Sequence, residues 1–309
     1  MLQVYLKKFL SLKVDRSKGY PAPHKPVLLL AILQMMDQGL IRDNQIAITP
    51  ELVLEFKDLF HILADPRATS NFALPFYHLK SSGFWHLRTC AGAEIVLTSS
   101  HSIKSFSQLK QVVAYAYFDT QLFELLIDPV ARAWFQSALM QKYFPGKTLN
   151  ASVQPGLFDT ISEQILSEPA FIYQNQVATA DEEELFVRGG VFKRVVPAIY
   201  NHTCCISGMR VTVTRSVQMI DACHIVPFSE SRNDTISNGI SLCPNLHRAF
   251  DRFLITIDSD YRMRMAKDVI ESGPFGLAQF EGKEIMLPED RKYWPGKENF
   301  EWHWGRFEN

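Results

Sequence analysis

The chain has 309 residues, of which 47% are apolar and 21% are charged, values typical of a soluble globular protein with enough core for two domains. Its formal net charge of −1 excludes a uniformly basic surface, so any binding of phosphate groups must come from local patches. The longest apolar run, 26–33, is too short to cross a bilayer, and residues 1–8 lack the layout of a signal peptide. The sequence therefore predicts a cytoplasmic protein without a membrane partner.

The N-terminal half is predicted to be mainly helical. Apolar residues recur at helical spacing between Leu2 and Leu10, and Pro26 lies where the first turn of a second helix is expected. Gly39 is a typical helix end, and Thr49 is a typical cap for a third helix that ends before Asp65. Later helices are predicted at 103–117, 120–127 and 130–143.

Short strands are expected between these helices. Residues 46–48 and 84–88 have strand character, and residues 94–98 are predicted to pair with the second of these segments. Gly83 provides the turn that precedes it. Pro75 is expected at a strand edge or break, because proline cannot donate to a ladder of hydrogen bonds.

Two motifs in this half resemble the sulfur-binding domain that precedes the nuclease domain in McrA-like restriction enzymes. That domain recognises DNA in which a non-bridging phosphate oxygen is replaced by sulfur. The motif residues are His24, Lys25, Pro26, Leu28, Leu29 and Leu30, followed by Leu74, Pro75, Phe76, Leu79, Gly83 and Trp85. Sulfur is larger and less strongly hydrated than oxygen, so an apolar cavity favours it over an ordinary phosphate oxygen.

The resemblance implies a role for each motif residue. Pro75 would press its ring against the sulfur, Leu74 and His78 would form neighbouring walls, and His24 and Lys25 would contact the flanking phosphate or base edges. Leu74 stands where the family often has an aromatic residue. An arginine that the family places further along has only Arg88 and Lys104 as candidates.

Two other interpretations of this half remain open. The motif residues could be a helix cap and a packed edge strand. Alternatively, the domain could read another DNA modification, such as a methylated base, in a pocket with aromatic walls. The aromatic candidates for such walls are Phe72, Phe76, Tyr77 and Trp85.

A linker is predicted at 147–180, because Pro-Gly pairs at 145–146 and 155–156 enclose polar residues. Helical spacing after residue 157 predicts that the linker is partly helical. The N-terminal domain is therefore placed at 1–146 and a second domain at 181–309. The second domain is expected to begin with a helix over 184–200, and a hairpin is predicted at 253–257 and 261–265.

The second domain is predicted to contain a strand at 216–221, a loop with a turn at 238–239, a partner strand at 240–242 and a helix at 244–250, with Pro227 as the end of the first strand. This order is predicted to place His224, Asn238 and His247 around one concavity. A neutral imidazole takes a proton from water near pH 7, so His224 is the candidate general base. Asn238 either orients the ring of His224 or holds the loop that carries it. His247 is the candidate metal ligand, with Asp221 as a carboxylate partner.

This segment resembles the HNH, or ββα-metal, nuclease family. The motif residues are Asp221, Ala222, His224, Ile225, Pro227 and Phe228, then Asn238, Gly239, Leu242 and Cys243, then His247, Phe250 and Asp251. The resemblance implies a catalytic set of His224, Asn238 and His247 that hydrolyses phosphodiester bonds with one divalent ion, Mg²⁺ or Mn²⁺. The family's acidic ligand often precedes the base directly, where this chain has Cys223, and Asp251 is a reserve ligand.

The five cysteines are predicted to be reduced, because their number is odd and their spacing is not that of a disulfide framework. Cys204 and Cys243 each lack the second thiol of a CxxC pair, so no structural zinc is expected. A basic patch for DNA is predicted just before the nuclease motif. Its candidate residues are Arg188, Lys193, Arg194, Arg210 and Arg215.

The sequence therefore predicts a two-domain α+β restriction endonuclease: a mixed helix and small-sheet domain that binds modified double-stranded DNA, followed by an HNH nuclease domain. A homodimer is expected, because one HNH centre cuts one strand. The open alternatives are a nuclease gated by a modified base and a non-catalytic DNA-binding regulator.

Overall fold

The computed structural model describes residues 1–15, 21–93, 103, 105–149, 156–211, 219–273 and 275–307. The chain divides into two compact units, Met1–Leu157 and Phe158–Asn309. The helices predicted within the linker region thus belong to the second unit, and the domain limits 1–146, 147–180 and 181–309 stay a prediction. In the described part of the chain, no helix is long and apolar enough to cross a bilayer.

The first unit is built from helices around a small antiparallel sheet. The helices are α1 (Leu2–Leu10), α2 (His24–Asp37), α3 (Pro50–Leu63), α4 (Ala73–His78), α5 (Phe106–Val112), α6 (Thr120–Ile127) and α7 (Pro129–Tyr143), and the strands are β1 (Trp85–Thr89) and β2 (Val113–Phe118). Helix α2 is buried along most of its length and contacts α3, α4 and α7. A helix that is apolar on all sides must be covered by other elements, so α2 is the central element of this unit.

The strand predicted at 84–88 is confirmed as β1, but its partner strand differs from the prediction. Residues 113–118 form β2 rather than the end of a helix, since the aromatic and β-branched residues of this stretch favour a strand. The predicted partner at 94–98 lies outside the described residues. Residues 46–48 do not form a regular strand; Ile46 makes a single bridge to Ala116 instead.

Pro75 lies in helix α4 and not at a strand edge, so that prediction was wrong. The first turn of a helix has N–H groups without helical partners, so a proline at its third residue removes no helical bond. The carboxamide oxygen of Asn71 accepts a hydrogen bond from the Leu74 N–H at 2.9 Å and supports this turn.

The second unit contains the predicted strand, loop, strand and helix. Its helices are α8 (Leu157–Ser167), α9 (Ala170–Val177), α10 (Glu182–Ile199), α11 (Phe228–Ser231), α12 (Pro244–Asp251) and α13 (Lys297–Phe307), and its strands are β3 (Asp221–His224), β4 (Gly239–Leu242), β5 (Ile255–Ile257) and β6 (Met263–Met265). Strand β3 starts later than predicted, and residues 216–218 lie outside the described residues. The predicted pairing of the two strands is confirmed, with His224 opposite Gly239.

Helix α10 packs closely against β4 at Gly239. A Cβ atom at this position would lie 2.8 Å from Cγ2 of Val196 and about as close to the ring of Phe192. The missing side chain therefore lets α10 approach the strand that follows the nuclease loop.

Gly239→Ala is expected to destabilise the protein by about 1–3 kcal/mol, because the added methyl overpacks this contact. Gly189→Ala in α10 is the matched control. Nothing lies within 4 Å of the added methyl there, so the better helix propensity of alanine should stabilise by roughly 0.5–1 kcal/mol. Thermal unfolding of both variants measures this difference, and equal melting temperatures would contradict the close packing.

Candidate functional sites

His224 ends β3 and is held on two sides. Its ring stacks on Phe192 of α10, with centroids 3.9 Å apart and planes 7° apart. Its Nε2 lies 2.7 Å from Oδ1 of Asp234. A carboxylate on Nε2 favours the tautomer with its proton on that nitrogen, which leaves Nδ1 to accept a proton.

Asp234 is the functional residue that the sequence analysis missed. It is 1% exposed, and its second oxygen accepts a hydrogen bond from the Tyr173 hydroxyl at 3.2 Å. Burial and the nearby carboxylate raise the pKa of Tyr173, so the hydroxyl stays a donor. The polar segment around Asp234 has the composition of an exposed loop, and nothing in that pattern signals a buried carboxylate. The contacts make Asp234 the residue that orients His224.

Asn238 lies beneath the site and does not form part of its wall. It is fully buried, and its Oδ1 accepts a hydrogen bond from the Val226 N–H at 2.8 Å. Its Nδ2 donates to the carbonyl groups of Val226 and Asn233, both at 2.9 Å. Of the two roles that the sequence left open, these bonds support the one in which Asn238 holds the loop.

Asn238→Ala is expected to destabilise the protein by roughly 2–4 kcal/mol, because it leaves buried backbone groups of Val226 and Asn233 without their partners. Denaturant unfolding measures the loss. Asn299→Ala is the control, since that side chain makes one bond to the Ser237 carbonyl and is expected to cost about 1 kcal/mol. A similar loss in both variants would contradict the role of Asn238.

His224 and His247 line one cleft of about 290 Å³, as the sequence predicted, and Asp251 lines it with them. His247 lies on α12, and Asp251 follows one turn later on the same helix. An adjoining depression is lined by His247, Asp251 and Asp221, together with Arg248 and Arg252. A candidate base, candidate metal ligands and two cations thus surround one concave surface.

The groups around His247 fit a divalent cation. Its Nδ1 lies 3.5 Å from Oδ2 of Asp221, and its Nε2 lies 3.5 Å from Oδ2 of Asp251. A thiol also lies beside this group: the Sγ of Cys223 is 3.9 Å from Oδ1 of Asp251. Burial, and then the charge of Asp251, raise the pKa of the Cys223 thiol well above its ordinary value.

The five residues predicted to bind sulfur meet in the first unit. A cleft of about 560 Å³ lies between the start of α2 and helix α4. It is lined by all five of them, His24, Lys25, Leu74, Pro75 and His78. They are up to 54 positions apart in sequence (24 and 78), so the fold brings them together. Leu74 is 39% exposed, whereas Pro75 is largely buried and presents a smaller surface.

Basic side chains border this cleft. The Lys25 ammonium donates to the Lys13 carbonyl at 3.0 Å and to the Ser81 hydroxyl at 3.3 Å. Burial, and then the charge of Lys13, lower the pKa of Lys25. Burial also lowers the pKa of His78, and Lys25 and Lys80 add to that shift. Repulsion among these cations would be relieved by an anion in the cleft.

The aromatic residues that were candidates for a base-binding pocket are packed in the core. All four are at most 3% exposed: Phe72, Phe76, Tyr77 and Trp85. The indole N–H of Trp85 donates to the Phe76 carbonyl at 2.9 Å, so its polar edge is also occupied. These residues therefore stabilise the fold and do not line the cleft of about 560 Å³.

The predicted basic patch is wrong for Arg188. This residue is 5% exposed, and its guanidinium donates to Glu184 at 2.8 Å and to Gln164 at 3.0 Å. Its helical spacing from Glu184 brings the two together on one face of α10. Arg215 lies outside the described residues. Arg248 and Arg252 are the cations that the structure places beside the candidate nuclease site.

Comparison with protein families gave one match in each unit. Residues 3–153 match the ScoMcrA-like DNA sulfur-binding domain, and residues 204–258 match an HNH endonuclease family. The chain thus combines, in this order, the sulfur-binding and HNH domains of McrA-like restriction endonucleases, within an α+β fold. The comparison with curated proteins gave no match.

Three solved structures are similar to parts of the chain. The modification-dependent restriction endonuclease TagI shares 20% identity over 38% of this chain and 38% of its own, with a TM-score of 0.29. The sulfur-binding domain of SprMcrA, complexed with phosphorothioated DNA, shares 18% over 48% of this chain and 88% of its own, with a TM-score of 0.37. The type IV phosphorothioation-dependent restriction endonuclease ScoMcrA shares 10% identity over 79% of this chain and 94% of its own, with a TM-score of 0.31.

Proposed function

We propose that this chain is a type IV-like restriction endonuclease that recognises phosphorothioated double-stranded DNA with its first unit and hydrolyses phosphodiester bonds with its second. The observation that carries the nuclease is the cleft where His224, oriented by Asp234, faces His247. The match of residues 204–258 to an HNH endonuclease family supports it. The match of residues 3–153 to a DNA sulfur-binding domain supports the recognition of sulfur.

The cleft of the first unit suits a phosphorothioate group. Leu74 and Pro75 provide apolar surface for the sulfur, which loses little hydration there. Lys25, on the same cleft, is placed to donate to the remaining phosphate oxygens, and His24 lies beside it with its Nε2 donating to the Thr69 carbonyl at 3.0 Å. An unmodified phosphate would place a strongly hydrated oxygen against Leu74 and Pro75 without a donor, so its binding is disfavoured.

The cleft of the second unit suits hydrolysis. His224 takes the proton of the attacking water at Nδ1, while Asp234 stabilises the positive charge that the ring acquires. Arg248 and Arg252 are placed to neutralise the phosphates on either side of the scissile bond. A divalent ion, held by His247 with the nearby carboxylates, would supply Lewis-acid stabilisation of the phosphate.

Two further features belong to this proposal. One nuclease centre cuts one strand, so cleavage of both strands by a homodimer is expected. A cytoplasmic location, where such an enzyme meets DNA, stays a prediction.

Cleavage of three otherwise identical plasmids tests this function: one unmodified, one phosphorothioated and one methylated at cytosine. With a divalent metal ion present, only the phosphorothioated plasmid should be cut. Cleavage of the methylated plasmid would favour the modified-base alternative. Equal cleavage of all three plasmids would contradict the dependence on DNA modification but support the nuclease activity. If none of the three is cut, the chain fits a non-catalytic DNA-binding regulator instead.

A further inference from the structure

Three potential metal ligands with different chemistry meet beside the base. Cys223, His247 and Asp251 place one ligand atom each within 4.8 Å of the others. Cys223 precedes His224 on β3, so the two side chains leave the strand on opposite faces. The thiol is fully buried and lies over the exposed carboxylate of Asp251. A thiol, an imidazole and a carboxylate therefore converge from β3 and α12.

The distances within this group suit one shared ion. A tetrahedral ion with N and O bonds of about 2.0–2.1 Å and an S bond of about 2.3 Å keeps its ligand atoms roughly 3.3–3.5 Å apart. His247 Nε2 and Asp251 Oδ2 are 3.5 Å apart, and Cys223 Sγ is 3.9 Å from Asp251 Oδ1. The three ligand atoms lie within 4.8 Å of one another, so the widest pair would close by up to about 1.3 Å to form such a shell.

Asp221 lies on the opposite side of the imidazole. Its carboxylate is 3.5 Å from Nδ1 of His247, whereas Asp251 lies by Nε2. Metal-ligating histidines usually donate their other N–H to a carboxylate, which fixes the tautomer. With Asp221 on Nδ1, the lone pair of Nε2 points to the side where Asp251 lies. This geometry gives Asp221 an orienting role, which differs from the ligand role expected from the sequence.

We propose that Cys223 is a thiolate ligand of the nuclease metal ion, together with His247 and Asp251, and that this site takes a borderline transition ion such as Zn²⁺ or Co²⁺ in preference to Mg²⁺. Thiolate and imidazole donors select such ions, whereas Mg²⁺ demands six oxygen ligands and keeps its waters. On binding, the thiol proton passes to the solvent and the sulfur forms the bond to the metal. The inference rests on the proposed nuclease function and specifies its ion.

Absorption spectroscopy of the full chain with Co²⁺, in the absence of DNA, tests this site. The wild-type protein should show a near-ultraviolet thiolate-to-cobalt charge-transfer band. Cys223→Ser should lose that band, while Cys243→Ser, the control at another buried cysteine of the same unit, should keep it. One equivalent of Zn²⁺ should abolish the band, and Mg²⁺ in roughly 1,000-fold excess should leave it unchanged.

Variants of the two carboxylates distinguish the proposed metal ligand, Asp251, from the proposed orienting group, Asp221. Asp251→Asn should weaken the binding of Co²⁺ more than tenfold further than Asp221→Asn does. At saturating Co²⁺, Asp221→Asn should still show the charge-transfer band. The reverse order would overturn the assignment of Asp251.

Two results would overturn the role of Cys223. One is cobalt binding by the wild-type protein without the charge-transfer band. The other is a band that survives Cys223→Ser but disappears in Cys243→Ser, which would place the thiolate elsewhere. Neither result would decide the plasmid-cleavage test, and a failure to cut any plasmid would not decide the cobalt spectrum. The two proposals can therefore fail separately.

Discussion

Asp234→Asn is expected to lower the rate of DNA cleavage about 10²–10⁴-fold without unfolding the protein. The carboxylate lies 2.7 Å from Nε2 of His224 and holds the proton there. An asparagine amide can donate to Nε2, and the ring then carries its proton on Nδ1, where it cannot act as a base. Single-turnover cleavage of phosphorothioated DNA measures the loss, and thermal unfolding reports on the fold.

His224→Ala and Tyr173→Phe are the comparison variants. His224→Ala should lose about as much activity as Asp234→Asn, and the double variant little more, because the two residues act as a unit. Tyr173→Phe removes the other hydrogen bond to Asp234 and should change the rate by less than about tenfold. Wild-type cleavage by Asp234→Asn would show that the carboxylate does not orient the base.

Pro75→Ala is expected to reduce the preference for phosphorothioated over unmodified DNA by about tenfold. The substitution removes two methylene groups from the apolar wall, at roughly 0.8 kcal/mol each. Alanine is compatible with the first turn of α4, so the helix should remain. Equilibrium binding to two duplexes that differ by one sulfur atom gives the preference directly.

Leu74→Asn should act in the same direction, because it places an amide where the sulfur is expected to lie. Leu40→Asn is the matched control, since Leu40 is a more exposed leucine of the same unit outside the cleft. The control should keep the wild-type preference. An unchanged preference in both Leu74→Asn and Pro75→Ala would remove these residues from sulfur recognition.

The sequence predicted the nuclease motif well because its elements are local. The strands around Asn238, their pairing, and the helix that carries His247 follow from turn residues and apolar spacing within thirty positions. The two histidines therefore meet as expected. Asp234 was missed because its environment comes from distant elements: Tyr173 on α9 reaches its carboxylate, and its polar neighbours resemble a surface loop.

The first unit was harder to predict, although its five motif residues do line one cleft. Residues 113–117 were assigned to the end of a helix over 103–117. Their pairing with β1, more than twenty residues away, could not be predicted from the local pattern. Pro75 was assigned to a strand edge or break because proline cannot donate to a ladder, whereas it lies in the first turn of a short helix, where no helical bond is lost. Arg188 was assigned to a basic patch because it lies close in sequence to other cations, whereas its ion pair with Glu184 holds it inside.

The most direct test of sulfur recognition measures DNA binding separately from DNA cleavage. The full-length His224→Ala variant is titrated with two DNA duplexes that differ by a single sulfur atom, and affinity and strand integrity are measured together. The proposed function predicts that the phosphorothioated duplex binds at least about tenfold more tightly and stays intact. Equal affinity for the two duplexes would contradict recognition of sulfur by the cleft that contains Pro75.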